Sequence, residues 1–597
     1  LIFSLPFFLF AQPSVEVLEW LDDEHYLIQK STEDNSETFK VSAKTGKESP
    51  YEAEPDITEM LPEKIRLRRG SVAFTEGRNA LVFIKNDDLY YFKKGDSEIR
   101  QLTANPDKEN NPTFSPDGKK IAYTRNRDLY IIYIESGLEK RLTSDGSDLI
   151  YNGWASWVYY EEILGRSSRY RAFYWSPDSK SLAFLRFDDS TVPEFPIYHH
   201  IGGDMVHGKL EETRYPKSGD PNPNVELKIA DIETGIIQRV DTNSDLEYTA
   251  WVFWTPDASG LFFQQLNRDQ NQLKIYVANP HTGERREVYS ESQKTWVEFF
   301  EEIHFLENGK GFILRSNRDG WYNLYHYDMT GKLVNQITDF DWRVTELTHV
   351  DEKNERIYFR GTGEEPTESH FYSINFNGKK LKRLTKESGT HGVFLSENGT
   401  YFMDEFSAYT DPGKTDLYTS DGSHIKTVIK EEKDPNKESG LTVESFKIPS
   451  TDGFELPAYW VLPPNFDKTK KYPVIFSIYG GPDAGTVSNR YRNFSWNPLH
   501  EKGVIRITVD HRASGKFGKK GLDYMHRSLG KWEMHDYIEA VKWLKTQPFI
   551  DSTKIGIQGS SYGGYMAAMA LTYGADYFTH GVASASVTDW RLYDNIY

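Results

Sequence analysis

The chain has 597 residues, 14% of them aromatic, with 44 Gly, 27 Pro and a formal net charge of −18. That length exceeds one ordinary core and points to two or more domains, and the acidic balance argues against a nucleic-acid partner. There is no cysteine, which excludes disulfides, thiolate catalysis and Cys-based metal sites.

The chain opens on an apolar run, Leu1-Ile2-Phe3-Ser4-Leu5-Pro6-Phe7-Phe8-Leu9-Phe10, followed by Ala11-Gln12. The run is too short to cross a bilayer. It reads as the end of a secretory signal peptide over residues 1–12, which predicts an exported protein, periplasmic or secreted, with no stable membrane span.

From residue 13 to about 432 the pattern repeats. Phe114-Ser115-Pro116-Asp117-Gly118 leads into Ile121-Ala122-Tyr123, and Trp175-Ser176-Pro177-Asp178-Ser179 leads into Leu182-Ala183-Phe184. Weaker copies start at Trp254, Phe305 and Leu395. Each is a strand, a tight polar turn and a second strand. Asp-Leu-Tyr strands recur at Asp88, Asp128 and Asp416, and Arg/Gln-Leu-Thr endings at Gln101, Arg141 and Arg383. A period of roughly 40 residues with four strands per unit predicts a β-propeller of about eight blades.

One unit breaks the pattern. Between Asn152 and Trp175 there is no hairpin turn but Trp154-Ala155-Ser156-Trp157-Val158-Tyr159-Tyr160-Glu161-Glu162-Ile163-Leu164. This predicts a short helical insertion. Glu161 and Glu162 are either a solvated acidic pair or a carboxylate pair that grips a cation through charge-assisted hydrogen bonds. A free peptide α-amino group is such a cation.

A charged linker, Lys430 to Glu438, ends the repeats. After it come the buried-type strands Val474–Tyr479 and Val504–Val509, and an amphipathic helix over His535–Lys545. Gly559-Ser560-Ser561-Tyr562-Gly563 follows, reading G-x-S-x-G between the strand Lys554–Gln558 and the helix-forming Gly564–Leu571. That context marks the nucleophile elbow of an α/β-hydrolase. The glycines leave room for a turn too tight for side chains, and Ser561 sits at a helix N-terminus that favours developing negative charge. Strand–helix alternation over 440–597 predicts a doubly wound, mostly parallel sheet.

A propeller followed by Gly-x-Ser-Tyr-Gly-Gly-Tyr resembles the prolyl oligopeptidase family of serine peptidases. The Trp-Val-Tyr-x-Glu-Glu insertion narrows the resemblance to its dipeptidyl peptidase IV branch. Further matches are Tyr151-Asn152-Gly153, Tyr215-Pro216-Lys217-x-Gly219 with Asn222-Pro223, Lys471-Tyr472-Pro473, Tyr479-x-Gly481-Pro482, Asp510-x-Arg512-x-Ser514-Gly515 and Trp590-x-x-Tyr593-Asp594. The resemblance implies Ser561 as nucleophile, with the Tyr479 hydroxyl and the Tyr562 backbone N–H serving the oxyanion. It implies that Glu161 and Glu162 bind the substrate's N-terminus. Tyr562, Val587, Trp590, Tyr593 and Tyr597 would line the pocket for a penultimate proline, whose compact ring aromatic walls can bury. The implied substrates are peptides with a free N-terminus, and neither metal nor cofactor is implied. The sequence leaves the oligomeric state open, a homodimer included.

There are departures. The branch's Asp before Trp-Val-Tyr is Ser156, one acidic position is Tyr160, and its substrate-gripping arginine has no counterpart that can be placed. The triad order in this fold is Ser, Asp, His, yet one histidine, His580, follows Ser561, and it is expected at the far edge of the sheet. The triad Asp and His are therefore expected beyond Tyr597. The hydrolase domain would then be incomplete after the elbow, and the chain as written inactive. A family peptidase of other specificity and a non-catalytic propeller binding protein remain open alternatives. His199-His200 reads as a loop pair, and no phosphate loop or H-E-x-x-H pattern occurs.

Overall fold

A computed structural model describes residues 14–32, 35–62, 64–68, 70–201 and 206–597. The expected signal-peptide remnant over residues 1–12 lies outside them. Eight antiparallel sheets, taken among the described residues, follow one another along the chain within 14–50, 72–101, 109–141, 150–239, 248–292, 304–336, 344–383 and 390–430. Seven have four strands in sequence order, and the 150–239 sheet has five. The recurring turn explains the repeat. The Ser115 and Ser176 hydroxyls each donate to the Asp two residues on at 2.6 Å, and Thr255 does the same at 2.7 Å. The next position is left-handed whether it is Gly118 (φ 68°), Ser179 (62°) or Ala258 (59°), a conformation only glycine adopts without strain.

The chain forms two compact units. One takes the chain up to Ala53, Arg315–His326 and Leu333–Thr588; the other takes Glu54–Leu314, Tyr327–Lys332 and Asp589–Tyr597. In the first, Tyr26, Ile28 and Val41 of the first sheet share a core with Met403 and Leu417 of the eighth. The Trp20 indole donates to the Phe394 carbonyl at 3.1 Å. The second unit repeats that stitch: Trp175 donates to Thr113 O at 3.2 Å and Trp254 to Tyr174 O at 3.1 Å. So the aromatic before the turn packs in the core and also fastens its sheet to the neighbouring one.

The insertion is a single turn of π-helix, Tyr159–Ile163, followed by a 3-10 turn, Arg166–Ser168. A separate hairpin, Glu194–His199 with Lys209–Arg214, leaves Tyr198, Ile201, Val206 and Leu210 exposed.

The first unit also holds a six-stranded sheet in the order Thr442–Pro449, Glu455–Leu462, Ile505–Val509, Tyr472–Ser477, Ile550–Ser560, His580–Ser584. Its last three pairings are parallel and its first two antiparallel. The architecture is thus a β-propeller followed by an α/β-hydrolase sheet. The charged linker is ordered by specific contacts. Asp434 caps the turn Pro435–Glu438, and buried Asn436 bonds Arg492 O at 2.8 Å and Phe494 N at 2.7 Å. The helix expected from His535 starts earlier, at Lys531, because Glu533 turns back to accept from Gly530 N at 2.8 Å.

Candidate active site

The elbow is built from the strand Ile550–Ser560 and the helix Tyr562–Thr572. Ser561 between them has φ 58° and ψ −120°, a strained conformation for a residue with a side chain. A Cβ on Gly559 would lie 2.4 Å from Gly563 O, and one on Gly563 would lie 2.6 Å from Ile478 O. Both glycines are thus demanded by close approach. The Ser561 side chain is exposed, while its amide donates to Ser584 O at 2.9 Å. Tyr562 is the first helical residue, so its N–H lies outside the helix's own i to i−4 ladder.

The Tyr562 side chain is almost wholly buried. Its hydroxyl donates to Glu533 Oε1, and its ring lies 6.0 Å from that of Tyr479. The Tyr479 hydroxyl makes no hydrogen bond among the described residues and remains available as a donor. Val587 is half-buried in the coil after His580–Ser584. His580 pairs with Gly556 while Ser584 pairs with Ser560. Four residues of strand therefore separate His580 from the elbow end, about 13 Å, and its ring bonds Thr579 Oγ1 at 2.8 Å. Among the described residues no histidine hydrogen-bonds the Ser561 hydroxyl.

Below this site, Arg512 is fully buried. It forks onto Asp536, with Nη2 to Oδ1 at 2.6 Å, and onto Asp452, with Nη1 to Oδ2 at 2.6 Å. Phe454, Tyr524 and Trp532 face its guanidinium at 4.6–4.8 Å. The motif Asp510-x-Arg512 matched in the sequence is therefore a framework that pins a loop between sheet and helix.

The second unit carries the glutamate pair. Val158, Tyr159, Ile163 and Leu164 are buried and anchor the π-turn; the Tyr159 hydroxyl accepts from Thr249 N at 3.1 Å. Glu161 is gripped by the Arg166 guanidinium, whose Nε lies 2.9 and 2.8 Å from its two carboxylate oxygens. Glu162 accepts from the Tyr593 hydroxyl at 2.8 Å. Burial raises the Glu162 carboxyl above its ordinary range, opposed by that hydrogen bond. Burial and the neighbouring Glu162 push buried Asp594 up as well.

Trp590, Tyr593 and Tyr597 form one aromatic cluster, their rings 5.1–5.5 Å apart. The matched segment Tyr215–Asn222 holds it in place. Ser218 N donates to Tyr593 O at 2.8 Å, Ser218 Oγ to Trp590 O at 2.9 Å, and Asn595 Nδ2 to Asp220 O at 2.7 Å. Ser156 and Tyr160, the two departures, also have work. The Ser156 hydroxyl donates to buried Asp189 at 2.8 Å, and burial pushes that carboxyl up to about 7. Tyr160 stacks on Tyr170 at 3.8 Å, and Tyr170 on Trp154 at 4.8 Å.

Two family models match the chain: the dipeptidyl peptidase IV N-terminal region over residues 83–413 and the prolyl oligopeptidase family over 490–597. A probable dipeptidyl-aminopeptidase B of Arthroderma gypseum is 32% identical over 81% of the chain and 56% of its own length. One from Uncinocarpus reesii is 29% identical over 94% of the chain and 64% of its own length. The chain thus spans less than two thirds of the length of those relatives. The crystal structure of Porphyromonas gingivalis dipeptidyl peptidase 4 superposes with a TM-score of 0.82 at 27% identity, covering 97% of the chain and 83% of that structure.

Proposed function

The chain belongs to the dipeptidyl peptidase IV branch of the prolyl oligopeptidase family, and we propose that the full-length protein is a serine exopeptidase that releases N-terminal dipeptides with Pro or Ala in second position. Ser561 attacks the scissile carbonyl and carries the acyl group. The Tyr562 N–H and the Tyr479 hydroxyl take up the oxyanion charge, the usual source of most rate enhancement in acyl transfer. Glu161 and Glu162 bind the ammonium of the first residue, and Trp590, Tyr593, Tyr597, Val587 and Tyr562 receive the second.

The observation that carries this reading is the link between Glu162 and Tyr593. It joins an ammonium-binding carboxylate to an aromatic cluster of a size suited to a proline ring. A binding protein without catalysis has no use for the strained Ser561 φ of 58° or the two close-packed glycines around it. Export and a homodimer belong to the same proposal; exposed Tyr198, Ile201, Val206 and Leu210 on one hairpin support the latter. The test is a fluorophosphonate probe on the full-length protein, read by peptide mass. Labelling at Ser561, with Gly-Pro-anilide hydrolysis lost in Ser561→Ala, is expected. Labelling elsewhere, or hydrolysis surviving that change, would reject the mechanism.

A further inference from the structure

A second site is written in cations. The second unit contains a cavity of about 760 Å³ lined by Lys64, Arg66, Arg68, Lys108, Arg169 and Trp154. Asp87 is the one carboxylate in that lining among the described residues. Lys85 lines it as well; among the described residues the other five cations, Lys64, Arg66, Arg68, Lys108 and Arg169, form no ion pair, in a chain whose net charge is −18. The local sequence explains the clustering. Ile65 and Leu67 pack on the core of Ile57, Leu81, Phe83 and Phe92. Lys64, Arg66 and Arg68 alternate with them and stay exposed, so three positive charges share one side of the segment.

The opposite wall is fixed at some cost. Arg169 and Asn111 are both left-handed, at φ 52° and 56°. The Arg169 guanidinium lies so close over Gly70 that a Cβ there would sit 1.0 Å from its Nη1. The Asn111 side-chain nitrogen, also in the lining, is buried with no hydrogen-bond partner. Trp154 is braced by its stack on Tyr170 and by Arg127, 4.8 Å from its ring. Like charges gathered on one surface repel one another, and a bound counter-charge relieves that repulsion.

We propose that this cavity is a binding site for a small polyanion bearing two or more adjacent phosphate or sulfate groups. Arginine forks match the oxygens of tetrahedral oxyanions two at a time. A single carboxylate would leave most of the five cations unneutralised, and the cavity has room for two or three such groups. The site is independent of the peptidase reading: it contains neither the glutamate pair nor the aromatic cluster.

Two probes separate the sources of that chemistry. Tripolyphosphate stands for condensed phosphates and a heparin-derived trisulfated disaccharide for sulfated saccharides; each is titrated calorimetrically into the full chain at physiological salt. At least one is expected to bind at a single site and raise the melting temperature. Arg66→Gln with Arg68→Gln, and separately Lys108→Gln, should each weaken it at least ~10-fold, while exposed Lys353→Gln should not. The melting temperature of each unliganded variant shows that it has folded. Absence of binding by both probes, equal binding by all variants, or binding of a Glu-rich peptide in place of either probe overturns the proposal.

Discussion

The Tyr593 hydroxyl donates to the Glu162 carboxylate at 2.8 Å across 431 positions of sequence. One bond therefore ties the glutamate pair to the aromatic cluster, and the tie sets the first prediction. Tyr593→Phe keeps the ring and removes a donor to a half-buried carboxylate. In the full-length protein this should cost ~1.5 kcal/mol, about tenfold in kcat/KM. Steady-state kinetics on Gly-Pro-anilide measure it; a change below about twofold would mean the hydroxyl does not matter to the site.

Glu161→Gln and Glu162→Gln each preserve shape and remove charge. A loss of ~2–4 kcal/mol in transition-state binding is expected for either, with kcat falling along with KM, because amine binding orients the scissile bond. The Arg166 partner left by Glu161→Gln is largely exposed, so that variant should keep its melting temperature.

The raised carboxyls of Glu162 and Asp594 give a pH dependence with a definite sign. Both carboxyls are raised, and an ammonium group needs the ionised pair. Thus kcat/KM should climb as pH rises through the range where the pair loses its proton. Asp594→Asn removes the carboxyl pushed up to about 8 and should move the acidic limb to lower pH. An unmoved limb in the pH profile would place the titration elsewhere.

Asp189 governs stability. Its folded carboxyl titrates near 7, against 3.8 ordinarily, because it is buried beside Ser156. A raised carboxyl imposes no penalty below about pH 4, where both states hold the proton. Stability is lost as pH rises from there through 7, and the loss is complete above it. Asp189→Asn should flatten that slope and raise the melting temperature at pH 8, since the penalty removed is of order 1–4 kcal/mol. Thermal melts of both proteins from pH 5 to 8 read it directly; parallel curves would contradict it.

How much of this was legible beforehand depends on how local each feature is. Ser115-Pro116-Asp117-Gly118 and its copies carry their own turn chemistry within five residues, so the propeller could be read. Gly559 to Gly563 could be read because strand and helix flank it. Arg166 could not be named as the partner of Glu161, since the two meet only through the π-turn followed by a 3-10 turn. Nor could Asp594 be seen as a raised carboxyl, because the Glu162 that helps raise it lies in the insertion more than 400 residues earlier. Arg512 was visible as part of a motif, but its role depends on Asp452 and Asp536, which folding alone brings to it. The linker was legible as charged, but not the anchoring of its end by Asn436, whose partners Arg492 and Phe494 lie more than 50 residues on.

In the proposed mechanism a free amino terminus, held by Glu161 and Glu162, directs the Ser561 nucleophile to the second peptide bond. The most direct measurement compares hydrolysis of Gly-Pro-anilide with that of its N-acetylated form by the full-length protein. The account predicts that acetylation, which removes the ammonium charge, lowers kcat/KM by ~100-fold or more. Equal rates on the two substrates would contradict it.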